Sequence, residues 1–391
     1  MTFGHAMRAE WALDPAVAYL NHGTVGAVPK RVLAAQQAIR DEIERRPSQF
    51  LLREIFHFAG AARPEPSRLR RAAAAVAAFV GARAEDLVFV DNATTGANAV
   101  LRSMRLAPGD EILITDHIYG AVGNAAQFVA AERGATVRVV RVPYPEFSPK
   151  GLVAAVTDAL TPRTRLAVLD HITSESALVM PVAEMISVCH ARGVQVLIDG
   201  AHVPGALPLD VSALGADWYT ANLHKWAHAP RSCGFLWARP DRQRDLHPTV
   251  ISWGLGKGFL AEFDWVGTRD VSPWLAAPAG IDFLNELGFD AQRRANHDLA
   301  WSAARMLSER WGTTLGVTEA DVATMVSLRV PPSLGSTSED AARLRDALLF
   351  EDGIEVQVHA AHGQIWVRIS AQVYNEMDEY ARLAEAVTRR A

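Results

Sequence analysis

The stretch Asp86–Met104, DLVFVDNATTGANAVLRSM, decides the fold. Residues 86–90 read as a short buried strand, and NATTGANAVLRSM reads as a turn feeding a helix. The same alternation extends outward from about residue 68 to 240. SRLRRAAAAVAAFVG (67–81) reads as a helix closed by Gly81. APGD (107–110) is a turn, EILIT (111–115) a strand, and 119–133 a helix ended by Gly134. TVRVVRV (136–142), RLAVLD (165–170) and VQVLID (194–199) are further short strands, separated by helix-like segments near 149–160 and 181–192. This rhythm predicts an α/β fold, a mostly parallel sheet with helices on both faces. Such sheets bind ligands beyond the carboxyl ends of their strands.

After about residue 270 the texture changes. Helical patterns at 276–312, 338–349 and 376–390 surround strand-like VSLRV (326–330) and QIWVRIS (364–370). The expected division is an N-terminal arm (1–20), a large α/β domain (21–270) and a small C-terminal α+β domain (271–391). The arm is expected to pack against the small domain or against a partner subunit.

Of the 391 residues, 49% are hydrophobic and 21% charged, enough apolar material for a large core. The net charge is −5 with no basic stripe, which argues against nucleic acid as a partner. No run approaches the roughly 18 apolar residues that a membrane helix needs. The opening MTFGHAMRAEWALDP does not read as a secretory signal, so the expected location is cytoplasmic. Cys189 and Cys233 make neither a disulfide framework nor a metal cluster, and no metal site is expected.

Three groups at strand ends carry chemistry. The first is a lysine. Of 39 lysines and arginines only four are lysines: Lys30, Lys150, Lys225 and Lys257. Lys225 sits in TANLHKWAHAP (220–230), an aromatic and apolar setting. A desolvated lysine there has a lowered pKa and becomes a nucleophilic amine. The second is Asp199, which ends an apolar strand, where a carboxylate is costly unless a cation or donors meet it. The third is NATTG (92–96), a helix start whose amides and hydroxyls suit a phosphate. Each has a plainer reading: a snorkelling lysine, a turn-capping aspartate, a threonine N-cap. Together they match pyridoxal phosphate (PLP), which requires a Schiff-base lysine, an acid facing the pyridine nitrogen and a phosphate cup.

On these residues the chain resembles the class V aminotransferases, PLP-dependent enzymes of fold type I, and within them the isopenicillin N epimerase-like branch. The resemblance runs through YLNHGTVGAVP (19–29), DNATTGAN (91–98), TDHIYGA (115–121), DHITSESALVMPV (170–182), LIDGAHVPG (197–205), TANLHKW (220–226) and FDWVGTRD (263–270). It implies that Lys225 carries the Schiff base and Asp199 pairs with the pyridinium. His202 would approach the cofactor's phenolic oxygen or its aldimine, and His117, or alternatively Tyr119, would stack on its ring. Thr94, Thr95 and His224 would hold the phosphate, and Ser174 would bond a cofactor oxygen. Thr268 would reach the neighbouring subunit's phosphate across a homodimer interface. Arg368 would clamp the substrate α-carboxylate, with Asn21 and His22 lining the substrate mouth.

The fold hosts several reactions. Epimerisation at the Cα of an amino acid is the reading motif similarity favours. C–S lysis of a sulfur-containing amino acid and transamination remain alternatives. Cysteine desulfuration is disfavoured, because EDGIEVQVHAAHGQIWVRIS (351–370) lacks the thiol that chemistry needs. A catalytically silent PLP-binding sensor is the remaining alternative. WGLGKG (253–258) neither follows a clear strand nor opens a helix, so it is not a dinucleotide loop.

Overall fold

The computed structural model describes residues 3–56 and 66–391. Among the described residues twelve strands form three sheets, here numbered along the chain. They are β1 (Ala18–Tyr19), β2 (Leu87–Val90), β3 (Glu111–Thr115), β4 (Thr136–Val140), β5 (Thr164–Asp170), β6 (Gln195–Asp199), β7 (Trp218–Asn222), β8 (Gly234–Ala238), β9 (Met325–Arg329), β10 (Ile354–Glu355), β11 (Gln357–Ala361) and β12 (Gln364–Ser370). Seven of them make the main sheet, in the order β2-β8-β7-β6-β5-β3-β4. Every neighbouring pair from β4 to β7 is parallel, and β8 alone runs against its neighbours. The apolar runs of β5 to β8 follow from burial on both faces by helices.

Local signals set the element ends. Asn92 Oδ1 accepts the Thr95 amide at 2.9 Å and starts the helix Ala93–Ser103. Ser148 Oγ does the same for Pro149–Ala159 through Gly151 at 3.1 Å. Gly134, at φ 67°, closes Gly120–Arg133 in the left-handed conformation that glycine adopts without strain. The helical pattern over 276–312 is two helices, Ala277–Leu287 and Phe289–Trp311. Gly288 between them, at φ 80°, turns the chain.

The smaller sheet, β11-β12-β9, is antiparallel and packs against the helices Phe289–Trp311, Ser338–Phe350 and Met377–Thr388. The N-terminal segment joins it: β1 pairs in parallel with β10, and Leu20 lies in the same core. The segment 271–287 departs from the expected boundary at residue 270. Val271, Trp274, Ala277 and Ile281 bury their side chains in the main-sheet core instead. Among the described residues no helix is long and apolar enough to cross a membrane.

Candidate active site

The carboxyl ends of β5, β6 and β7 open onto one cavity of about 510 Å³. Asp199 ends β6 behind three fully buried apolar residues, and its Oδ1 accepts the Ala201 amide at 2.9 Å. Burial raises its pKa, an effect opposed by that amide and by Lys225. Gly200 is obligatory there, since a Cβ would lie 2.1 Å from the Tyr219 hydroxyl. Asp170, ending β5, is the in-register neighbour of Asp199 and also lines the cavity. Burial, then the charge of Asp199, pushes the Asp170 carboxyl well above the usual range, against a hydrogen bond from the Tyr119 amide. Sequence reasoning passed over Asp170, although RLAVLD repeats the pattern of VQVLID.

Beyond β7 the chain turns and presents Lys225, whose Nζ lies 3.0 Å from His202 Nε2. Burial lowers the lysine to about 7, Arg368 adds to that, and Asp199 opposes it. The same burial, with Lys225 and Arg368 nearby, holds His202 well below its ordinary value, so its imidazole is neutral. His224 lines the cavity and bonds the Cys233 carbonyl through Nδ1 at 2.9 Å, and burial lowers it to about 4. Its proton therefore sits on Nδ1, and a phosphate placed at Nε2 would draw a second proton onto the ring.

The start of the helix Ala93–Ser103 forms another wall. Its Ala93 amide donates to Asn222 Oδ1 at 2.8 Å, and Asn92 takes the Thr95 and Gly96 amides. The Thr95 hydroxyl also donates to Asn92 Oδ1, at 3.2 Å, and keeps its lone pairs, while the amide and hydroxyl of Thr94 face the cavity. A Cβ on Gly96 would lie 2.1 Å from Thr220 Oγ1, so the helix start sits tightly on β7.

Arg368, on β12, comes to the site from the smaller sheet. Its Nη1 donates to the Ser174 carbonyl at 2.6 Å, and its Nη2 to Thr24 Oγ1 at 2.7 Å and Asn21 Oδ1 at 3.3 Å. Its Nε is buried without a partner, and it forms no ion pair among the described residues. Burial lowers it to about 10, with Glu175 opposing. An enclosed guanidinium held by neutral oxygens retains its charge for an anion.

The structure thus brings Thr94, Thr95, Tyr119, Ser174, Asp199, His202, His224 and Lys225 to one cavity. Asn21 and Arg368 stand behind Thr24 and Ser174, which line it. His117 is not a lining residue: its Nδ1 is 2.6 Å from Ser176 Oγ, and its ring meets the Tyr144 ring edge-on. His22 departs from the expected mouth position. It is fully buried because Nε2 bonds the Lys225 carbonyl at 3.0 Å and Nδ1 the Tyr374 hydroxyl at 2.8 Å. It braces the lysine turn from behind. Thr268 is exposed and away from the cavity. Cys189 and Cys233 are fully buried, and burial raises both thiols, Cys189 to about 12.

A buried amine, a buried acid and a helix start converging at the carboxyl ends of a mainly parallel sheet define a PLP-dependent enzyme of fold type I. A family model described as "Aminotransferase class-V" matches residues 28–383, and the chain belongs to that family. Its cofactor is pyridoxal phosphate. The chain is 35% identical to an isopenicillin N epimerase of Streptomyces clavuligerus, over 97% of this chain and 96% of that protein. It is 33% identical to an L-cysteine desulfhydrase of Arabidopsis thaliana, over 95% of this chain and 87% of that protein. Among solved structures it is similar to C-DES with glycine covalently linked to its PLP cofactor. That match has a TM-score of 0.79 and 25% identity, over 97% of this chain and 98% of the other. A further structure of the same protein describes it as a cystine C–S lyase in complex with cysteine persulfide.

Proposed function

We propose that Lys225 holds the cofactor covalently, that Asp199 faces its ring nitrogen, and that Thr94, Thr95 and His224 receive its phosphate. The residues present fit that group: Asp170 Oδ2 and His202 Nδ1 are buried polar atoms without partners at the same cavity. When bound, the cofactor supplies an electron sink for charge developing at the substrate Cα. Arg368 receives the substrate α-carboxylate. The exposed position of Thr268 suits a contact with a partner subunit in a homodimer.

The reaction this arrangement supports best is C–S cleavage of L-cysteine or a related sulfur-bearing amino acid. The carrying observation is the pair Lys225 Nζ and His202 Nε2, 3.0 Å apart, with the amine held near neutrality. Elimination requires a base for the Cα proton and an acid for the departing sulfur. The pair offers both in one place: once the substrate's amine displaces Lys225 from the cofactor, the freed lysine would take the Cα proton and return it to the sulfur directly or through His202. The Cα–H and Cβ–S bonds break, sulfide leaves, and the released enamine takes up water to give pyruvate and ammonia. The names of the desulfhydrase relative and of the C–S lyase point the same way.

Epimerisation is the second reading, because it needs a second proton-transferring group across the substrate. Tyr119, 46% exposed and lining the cavity, offers a phenol for that task, and the epimerase relative supports it. The holoenzyme incubated with L-cysteine in deuterated water separates the two. Equal amounts of sulfide, pyruvate and ammonia are expected. Accumulation of Cα-deuterated D-isomer without sulfide would overturn the lyase reading.

A further inference from the structure

The turn 173–178, which leaves β5, carries Ser174 against the cavity. An antiparallel bridge between Ile172 and Val179 closes its base. Within it the Thr173 amide donates to the Leu178 carbonyl at 3.0 Å, and the Leu178 amide to Thr173 Oγ1 at 2.8 Å. Ala177 takes φ 59°, a conformation that a β-carbon disfavours, so this backbone is held by its surroundings. The hub is the hydroxyl of Ser176, a buried side chain. Its Oγ lies 2.7 Å from Thr173 Oγ1 and 2.6 Å from His117 Nδ1. The turn is therefore tied both to itself and to the segment after β3. Between the two tied residues stands Ser174, whose carbonyl accepts Arg368 Nη1 at 2.6 Å.

A guanidinium is a rigid planar fork, so fixing the acceptor on one Nη sets the plane of the other donors. Thr24 Oγ1 fixes the second point at 2.7 Å. The Thr24 contact is itself fixed by Asn21, but the Ser174 contact is a backbone carbonyl on a turn. Its place depends on what ties the turn down. We propose that Ser176 is a positioning residue for substrate recognition: anchored to His117 and Thr173, it fixes the Ser174 carbonyl and thereby the plane in which Arg368 meets the substrate carboxylate. This rests on Arg368 as the carboxylate receiver. It goes further by joining the His117 side of the site to the carboxylate side through one hydroxyl.

The test compares two probes on the holoenzyme, read by the change in its visible absorption. L-alanine carries an α-carboxylate and no leaving group, and methylamine carries an amine alone. Ser176→Ala is expected to weaken L-alanine binding about five- to tenfold, the effect of one net hydrogen bond, and to leave methylamine binding unchanged. Ser176→Thr, which keeps the hydroxyl, is expected to restore L-alanine binding. Arg368→Ala is run alongside and should lower L-alanine affinity further, again sparing methylamine. If Ser176→Ala leaves L-alanine unchanged, or weakens both probes equally, the positioning role is overturned while Arg368 stands. If Arg368→Ala fails to discriminate between the probes, the carboxylate reading falls and the Ser176 role falls with it.

Discussion

The state of the Lys225 amine yields the sharpest prediction. Burial lowers it from the ordinary 10.5 to about 7. At pH 7.5 a group of pKa about 7 is roughly three-quarters neutral, whereas an ordinary lysine is neutral in about one molecule in a thousand. The difference in available nucleophile is nearly a thousandfold. Covalent capture of pyridoxal phosphate by the apo-protein consumes the neutral amine, so its rate follows that fraction. Mixing apo-protein with excess cofactor and following the visible band from pH 5.5 to 9.5 reads it directly. The rate is expected to rise about tenfold per pH unit below 7 and to level off above it. Because Arg368 adds to the depression, Arg368→Met should move the bend to higher pH. A wild-type rate still climbing tenfold per unit through pH 9 would show a solvated lysine and refute the burial argument.

Further outcomes follow from other residues. Arg368→Ala should raise KM for the amino acid by about 10²- to 10³-fold, since charge-assisted hydrogen bonds contribute roughly 1.5–3 kcal/mol each; steady-state kinetics beside a cofactor titration checks that cofactor affinity is unaffected. Asp170, raised above its ordinary 3.8, keeps its proton longer in the folded chain than in the unfolded one. Folding stability of the apo-protein should therefore fall as pH rises through the window above 3.8, and Asp170→Asn should flatten that slope in denaturant titrations. Gly96→Ala places a Cβ 2.1 Å from Thr220 Oγ1 and should cost about 1–3 kcal/mol of overpacking. Equilibrium dialysis should show it releasing cofactor more readily, with Thr220→Ala recovering part of the loss.

The sequence made the alternating strands and helices legible because a parallel sheet buried on both faces demands short apolar strands. β3, β5 and β6 end where their patterns end, and Asp199 and Lys225 stood out because each is a charged group in an apolar run. Asp170 carried the same signal and was passed over, since a carboxylate without an evident partner in the chemistry has no motif. His22 shows a different limit. Its identity says that a polar ring is present, whereas its partners, Tyr374 and the Lys225 carbonyl, lie 352 and 203 residues away. The brace of Ser176 on His117 spans 59 residues and has no periodicity to betray it. The segment 271–287 was assigned by texture alone, and texture does not tell which of two cores a helix covers.

Besides His202 and His224, two acids and two cations meet at the site, and burial drives each toward its neutral form: Asp170 and Asp199 upward, Lys225 and Arg368 downward. A chain selected only for stability would replace such groups with apolar ones, because desolvation outweighs most of what their mutual attraction returns. Their persistence at one cavity has a physical reason only if charges from outside the chain complete the set. In the proposed arrangement a cationic ring nitrogen would answer Asp199, and a substrate carboxylate would answer Arg368. The amine of Lys225 is useful because burial and the charge of Arg368 outweigh the hold of Asp199 on its proton. Each group therefore matches a different part of the cofactor–substrate pair. Adding the substrate carboxylate should then raise the Arg368 pKa and relax its pull on Lys225. Amino acid binding and the protonation of the catalytic amine are consequently linked through the field of a single guanidinium.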